Sequence, residues 1–274
     1  MSGSQGFCTW FRIGGKLVVA QDVRRRTVRS VAVVAAVVLG AGGCGSADAA
    51  RAPQERKVFP FDGDVLTVDS GDSDVVLVPA DVEDVEVTRR VDGWVVLGSG
   101  PEARWRMEGG TLTLDVVCDA VVQNCEAIHE VRVPRGVGVS LRGDSGDVSA
   151  SGFASALTVR TDNGDVTVSG ARGPLDLATD NGTLRVDGAT SAKVAARSEN
   201  GDIRLGLRGA PAKVEGRSSN GTVVVEVPAA AGPYAVDAGS DNGTVTTDVP
   251  REEGSPRSIT AHSENGDVTV RTAN

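Results

Sequence analysis

The chain has 274 residues, of which 35 are glycine and only 3% are aromatic, and its formal net charge is −9. This acidity argues against nucleic acid as a partner. Only two histidines are present, His129 and His262, which leaves little material for acid–base or metal chemistry. The apolar residues are mostly Val, Leu and Ala, which favours a thin hydrophobic interior.

The first predicted element is a secretory leader. Four arginines precede the short apolar run "VAVVAAVVLG" at 31–40, and the small residues at 41–43 follow it. A basic region, a short apolar region and a small-residue cleavage site are typical of a signal peptide. The apolar run is shorter than the ~20 residues that span a bilayer. We therefore interpret residues 1–43 as a signal region, with residues 1–22 lying upstream of the true start.

Cys44 follows the small residues directly. The stretch "LGAGGCGS" resembles a bacterial lipobox, although Ala41 stands where that motif prefers Leu. The resemblance implies that Cys44 is lipidated and becomes the mature N-terminus, which would anchor the protein on the outer face of the cell membrane. Residues 44–55 are then expected to form a polar tether. The alternative is an ordinary signal cut near Ala49 and Ala50, with Cys44 discarded.

Two further cysteines stand in "CDAVVQNC". Cys118 and Cys125 are an even pair in a chain predicted to be exported, so we expect a disulfide bond. The alternative is two free thiols, which an oxidising compartment disfavours. His129 alone does not complete a metal site with them, and we predict no metal and no cofactor.

An internal repeat fills the C-terminal half. Each copy has Asp or Thr one residue after a turn glycine and apolar residues alternating on both sides, and six of the seven copies have Thr or Ser three residues before the glycine. Glycines of successive copies, starting from Gly146, are 18, 18, 19, 20, 22 and 23 residues apart. Six copies carry the Asn-Gly turn: Asn163-Gly164, Asn181-Gly182, Asn200-Gly201, Asn220-Gly221, Asn242-Gly243 and Asn265-Gly266. Period-two alternation on both sides of a turn predicts two strands per copy.

We call this pattern of residue types around the turn glycine the repeat frame. A weaker form of the repeat frame occurs upstream, around Ser73 and around Gly110. We therefore expect one repetitive domain over residues 56–274. It divides into irregular coils with the disulfide at 56–138 and regular Asn-Gly repeats at 139–274.

Two all-β architectures can carry the repeat. Asn-Gly between alternating runs is a strong hairpin signal, which predicts an antiparallel meander or barrel. A parallel β-solenoid instead makes each copy one coil of 18–23 residues and stacks like positions ~4.8 Å apart. We favour the solenoid because the same residue types recur at the same positions, where stacked Asn amides can hydrogen-bond to one another. The lengthening of the period at one corner also fits a coil better than a tight second turn.

The lipobox, the Cys pair followed by "VRVPRGVGVSLRGDSGDVSASG" and the [S/T]-x-N-G-[D/T]-V-x-V copies together resemble the DUF4097 family of actinobacterial lipoproteins. That family is labelled "putative adhesin" and described as containing β-strand repeats. The resemblance covers about residues 56–274 and implies β-helical coils at the cell surface with a role at the envelope. It carries no catalytic or ligand residues to this chain.

Binding without catalysis is therefore the expected function. An adhesin-like protein would use its regular polar surface, with outward residues such as Arg160, Asp176 and Arg204, to bind an unknown envelope or surface protein or a wall polymer. A calcium-stabilised module is the first alternative, because turn Asp and Asn oxygens suit Ca²⁺. A polysaccharide-active β-helix enzyme is the second. Since the last copy ends without a polar capping coil, its open edge predicts end-to-end self-association.

Overall fold

The computed structural model describes residues 47–273. The predicted signal region, its four arginines and the predicted lipidation site at Cys44 lie outside the described residues. Among residues 47–273, no helix is both long and apolar enough to cross a membrane.

The described chain is built almost entirely of strands. Its first five are β1 (Gln54–Phe59), β2 (Val65–Asp69), β3 (Asp74–Ala80), β4 (Val85–Glu108) and β5 (Thr111–Pro134). The next eight are β6 (Gly138–Ser145), β7 (Val148–Ser151), β8 (Leu157–Asn163), β9 (Val166–Ser169), β10 (Leu175–Asn181), β11 (Leu184–Ala189), β12 (Lys193–Asn200) and β13 (Ile203–Leu207). The last six are β14 (Lys213–Asn220), β15 (Val223–Pro228), β16 (Ala235–Asn242), β17 (Val245–Asp248), β18 (Ser258–Asn265) and β19 (Val268–Ala273). Short 3₁₀ turns occur at Ala49–Arg51 and Ala229–Ala231.

The two strands of each copy do not pair with each other but with the equivalent strands of neighbouring copies. Strand β10 is parallel to β8 and β12, with Leu175 opposite both Leu157 and Val194. Strand β11 is likewise parallel to β9 and β13. Because like positions stack in register, the fold is a parallel β-solenoid, as the repeat predicts, and the antiparallel meander of Asn-Gly hairpins is wrong.

The core is the narrow space between the two stacked sides of each coil. Its residues come from alternate positions of every strand, and Val159, Leu177 and Ile203 are fully buried there. Alternation places every second side chain inward, so small apolar residues suffice to fill so thin an interior. The larger Phe153 and Tyr234 are also buried, in the segments that join β7 to β8 and β15 to β16.

The last two coils stack in exchanged order. The final copy, β18 and β19, pairs with β14 and β15, and the preceding copy, β16 and β17, lies outside it. The inward residues of the final copy are fully buried, as Ile259 and Val270 are, whereas the outer coil has Thr247 and the 41%-exposed Val245. The more polar coil thus caps the stack. The open edge therefore belongs to β16 and β17 rather than to the last copy, where the sequence placed it; self-association through that edge stays a prediction.

The N-terminal end of the stack is closed by a long antiparallel ribbon of β4 and β5. Strand β5 pairs with β2 through its first residues and with β3 through its last residues, and its middle leaves the stack together with β4. Coil β2–β3 around Ser73 is present as expected, but the copy around Gly110 is a hairpin, with Glu108 opposite Thr111. Alternating residues serve a hairpin strand as well as a coil, which explains the difference.

The ribbon bends back on itself between residues 93 and 102, and a disulfide lies across the bend. Cys118 and Cys125 are bonded, with their Cα atoms 6.7 Å apart. Near the stack, His129 of β5 is fully buried and neither of its ring nitrogens has a hydrogen-bond partner. Burial and the neighbouring Arg89 lower the pKa of His129 to about 4.

Residues 48–55 pack on this ribbon rather than forming the free tether that the sequence suggests. The backbone N–H of Asp48 donates to the Asp92 carboxylate (2.7 Å), and Ala49 is fully buried against β4 and β5. Strand β1 then pairs antiparallel with β4. The described chain therefore enters the domain at the base of the bent ribbon.

Candidate functional site

The Asn-Gly turns form a continuous ladder along one edge of the solenoid. Asn181 donates to the Asn163 side-chain oxygen (3.1 Å), and Asn200 donates to that of Asn181 (3.1 Å). The ladder continues through Asn220, Asn265 and Asn242, with distances of 2.9 to 3.0 Å. Each amide between the two ends of the ladder donates to one neighbour and accepts from the other, so the asparagines hold the rungs together.

Glycine follows each of these asparagines because the rungs are too close for a side chain. A Cβ on Gly182 would overlap the carbonyl oxygen of Gly164, and one on Gly201 would overlap that of Gly182. The same carbonyls accept hydrogen bonds from the Ser and Thr three residues earlier in the frame, as Ser218 does to Gly201 (2.9 Å). The Asn-Gly signature therefore marks scaffold rather than a reactive centre.

The acidic residues after the turn glycines also serve the scaffold. The Asp147 carboxylate accepts the backbone N–H of Asp165 (2.9 Å), and the Asp165 carboxylate accepts that of Thr183 (2.7 Å). Asp202 and Asp267 make the same bond to Thr222 and Thr244. Within residues 47–273 no group of three or more His, Cys, Asp or Glu side chains could hold a metal ion. These bonds give the acids after the turn glycines a structural role.

The remaining polar chemistry lies on what we call the charged face, the outward side of β6, β8, β10, β12, β14, β18 and β16. Register places one residue of each strand, four positions before the turn glycine, in a single column. We call this the cation column; its basic members are Arg142, Arg160, Arg197, Arg217 and His262. Like charges on adjacent strands repel one another, so this arrangement is not what stability alone would favour.

Acidic residues on one side of the cation column neutralise part of its charge. The Glu215 carboxylate lies 2.9 Å from Arg197 and 3.0 Å from Arg217, and Arg160 pairs with Asp176 (3.1 Å). Burial of Glu215 raises the pKa of its carboxyl group, but the hydrogen bonds from Arg217 and Arg197 outweigh burial and hold that pKa below its ordinary value. Glu215 is therefore ionised and fixes the two guanidinium groups.

The other side of the cation column carries a second line of acids, two residues before the turn glycine. We call it the outer acid column: Asp144, Asp162, Asp180, Glu199, Glu264 and Asp241. All six are exposed, and none of them makes an ion pair with another described residue. At a rung spacing of ~4.8 Å, they form a row of exposed carboxylates without ion pairs, which Ser219 of β14 interrupts between Glu199 and Glu264.

A shallow depression lies between these two columns. Its lining includes Arg197, Arg217, His262, Asp180, Glu199 and Glu264. His262 lies 3.2 Å from Asp237, but the hydroxyl of the adjacent Ser263 donates to the Gly221 carbonyl (2.8 Å) and points away from this pair. The depression therefore offers charged groups for binding and no assembled nucleophile.

Only part of this face was expected from the sequence. Arg160 and Asp176 lie on it, whereas Arg204 lies on the opposite side of the solenoid. Four further residues of the face were not expected: Arg197, Arg217, Glu215 and His262. Their positions four and six residues before the turn glycine were already readable from the repeat frame, and grouping outward residues by frame position would have found them.

The geometry defines a parallel β-solenoid protein with one elongated charged face. Residues 134–274 match the family described as Toastrack DUF4097, and the chain belongs to this family. No curated protein matches it.

Solved structures support the same fold. A crystal structure described as a "putative adhesin" from Bacteroides fragilis aligns with a TM-score of 0.53 at 15% identity, covering 81% of this chain and 97% of that one. A second, from Parabacteroides distasonis and described in the same words, aligns with a TM-score of 0.40 at 12% identity, covering 81% of this chain and 98% of that one. At these identities the likeness concerns the fold alone, and only the first is close enough to support it.

Proposed function

We propose that this protein is a non-catalytic, adhesin-like binding protein that is anchored by a lipid on Cys44 and exposed at the cell surface. The charged face binds the partner, which is an envelope or surface protein or a wall polymer. The observation that carries this proposal is the outer acid column, six exposed carboxylates in register with no ion-pair partners among the described residues. The description of structural relatives as adhesins agrees with it.

Several features favour binding over catalysis. The exposed acids stand in a row at the rung spacing rather than converging on one point, as a glycosidase pair would. Of the two histidines, His129 is buried in the end of the stack and His262 faces an acid without a nucleophile. A rigid, repetitive sheet that presents charges at fixed intervals suits an extended partner with complementary charge.

Crosslinking on intact cells tests the binding surface. The variant Asp162→Asn/Asp180→Asn/Glu199→Gln removes three charges from the outer acid column, and we expect it to lose the crosslinked partners that mass spectrometry identifies with the unmodified protein. The matched control, Asp248→Asn/Glu252→Gln/Glu253→Gln, removes three charges from exposed positions elsewhere and should retain them. Equal loss in both variants, or in neither, would refute the assignment to the charged face.

Metabolic labelling with radioactive palmitate tests the anchor separately. The full-length chain should be labelled and remain with the membrane fraction, and Cys44→Ala should abolish both. Label that persists in Cys44→Ala would show that the lipid is elsewhere.

A further inference from the structure

The bend of the β4–β5 ribbon exposes apolar side chains that the charged face does not account for. Of the nine large apolar side chains exposed in the described part, six lie between Trp94 and Val122. Leu97 is 81% exposed and Val121 79%. We call residues 93–101 together with 120–124 the apolar tip.

The apolar tip carries no charge, although 24% of the whole chain is charged. Neither "GWVVLGSGP" nor "AVVQN" contains an acidic or basic residue. Charged residues begin immediately beyond it, at Asp92, Glu102, Asp119 and Glu126. An uncharged tip with charged residues around its base suits an apolar layer that is bounded by water. A bend surrounded only by solvent would gain nothing from the absence of charge.

The tip is held in one shape. The Cys118–Cys125 bond closes its base, and a Cβ on Gly93 would lie only 2.6 Å from the Asn124 carbonyl oxygen. A Cβ on Gly98 would overlap the Asp119 carbonyl, so the folded-back ribbon requires glycine there. Leu97 is the one non-glycine residue between 47 and 273 with a positive φ, 57°. Such strain at an exposed apolar side chain is typical of functional positions.

The point where the chain enters the domain, at Asp48, indicates that the apolar tip lies against a membrane. Asp48 is hydrogen-bonded to Asp92 at the base of the tip, and Cys44 precedes Asp48 by four residues. Four extended residues reach at most ~14 Å. A lipid on Cys44 therefore enters the membrane close to the base of the tip.

We propose that the apolar tip inserts into the outer leaflet of the membrane beside the Cys44 lipid, so that the domain has two points of attachment and a fixed orientation. This inference rests on the proposed anchoring. Burial of the exposed apolar side chains in the leaflet adds to the attachment that the lipid gives and fixes how the domain faces the membrane. These side chains are Leu97, Val121, Val122, Val96 and Trp94.

Fluorescence of Trp94 tests the insertion directly. The chain Cys44–Asn274 contains the compact unit of residues 45–274, and every buried side chain of its described part lies between Ala49 and Val270. Cys44 is its only cysteine outside the disulfide, so it can be coupled to a maleimide lipid in phosphatidylcholine vesicles. Trp105→Phe leaves Trp94 as the single tryptophan of that chain. We expect strong quenching by brominated phosphatidylcholine and protection from aqueous iodide.

Variants of the tip provide the controls. In the uncoupled Cys44→Ala chain, Leu97→Glu/Val121→Glu should lower vesicle binding about tenfold or more, because apolar burial is replaced by two charges. Val245→Glu, at an exposed apolar position on the far coil, should bind as before. Vesicles with 30% phosphatidylglycerol should bind more weakly, since the charged residues around the base of the tip are acidic.

The outcomes separate this inference from the anchor itself. Full-length protein that takes no palmitate refutes the anchor, while the chemically coupled chain still reports on the tip. Trp94 that stays open to iodide and unquenched by brominated lipid in the coupled chain overturns the insertion. So does a Trp94 signal that is protected equally without vesicles, which would indicate that a second copy or another protein covers the tip.

Discussion

The asparagine ladder predicts an order of stabilities that a generic surface residue would not produce. Asn200 donates to Asn181 and accepts from Asn220, at 3.1 and 2.9 Å. Asn200→Ala removes both bonds, each worth about 1 kcal/mol net, so we expect a loss of about 2 kcal/mol. Asn200→Asp keeps an acceptor for Asn220 but sets a carboxylate oxygen against the Asn181 oxygen. Repulsion adds to the lost bond, and we expect a loss of about 3 kcal/mol at pH 7.

The same pair of variants should change order at low pH. A protonated carboxyl can again donate to Asn181, so near pH 3 Asn200→Asp should become at least as stable as Asn200→Ala. Urea unfolding followed by far-ultraviolet circular dichroism measures both free energies, provided the slopes agree between variants. Thr190→Asp adds the same charge at an exposed position outside the ladder and controls for net charge. Equal stability of the two Asn200 variants at pH 7, or an order that does not respond to pH, would refute the ladder as a stabilising element.

Two further predictions concern His129 and the turn glycines. The unfolded state binds a proton at the ordinary His pKa of 6.5, whereas burial lowers the pKa of His129 in the folded state to about 4. His129 should therefore reduce the free energy of unfolding by about 3 kcal/mol as the pH falls from 6.5 to 4. Urea unfolding of His129→Leu should show a correspondingly smaller loss of stability over this pH range, and an equal loss would contradict the prediction. Gly201→Ala should cost about 3 kcal/mol or more because its Cβ would overlap the neighbouring rung. In Gly170→Ala the new Cβ would meet nothing within 4 Å, so the variant should lose only about 1 kcal/mol of stability, for its φ of +60°. Equal decreases in melting temperature for Gly201→Ala and Gly170→Ala would count against close contact between the rungs at Gly201.

The fold was predictable where one short-range pattern is repeated. Alternation around Gly164 and Gly182 predicts strands, and the identity of residues at like positions favours stacking over hairpins, because only stacking lets one Asn amide meet the next. The ribbon was not predictable in this way. The segment around Gly110 satisfies the same alternation, and its antiparallel pairing over 24-residue strands depends on a long-range register that no local pattern encodes.

The sequence predicted that the site would consist of outward charged residues, but it did not predict which side of the solenoid would carry it. Outward charges were expected on the sheet, and Arg160 and Asp176 are among them. Whether a column is neutralised depends on contacts between rungs, such as those of Glu215 with Arg197 and Arg217. The apolar tip left no periodic signal, because "GWVVLGSGP" reads as an ordinary strand with glycine breaks until the bend exposes it.

The exchanged order of the last two coils shows that the turn residues and the core residues of the repeat specify different features of the fold. The last two copies have the same turn residues, Asn and Gly, so the ladder accepts either copy beside Asn220, and Asn265 rather than Asn242 takes that place. The choice must then come from the inward residues. Placing Ile259 and Val270 between two rungs buries them completely, whereas Thr247 between two rungs would bury a hydroxyl. The turn residues therefore do not discriminate between the two copies, whereas the inward residues do, and the observed order leaves the coil with Thr247 at the end of the stack.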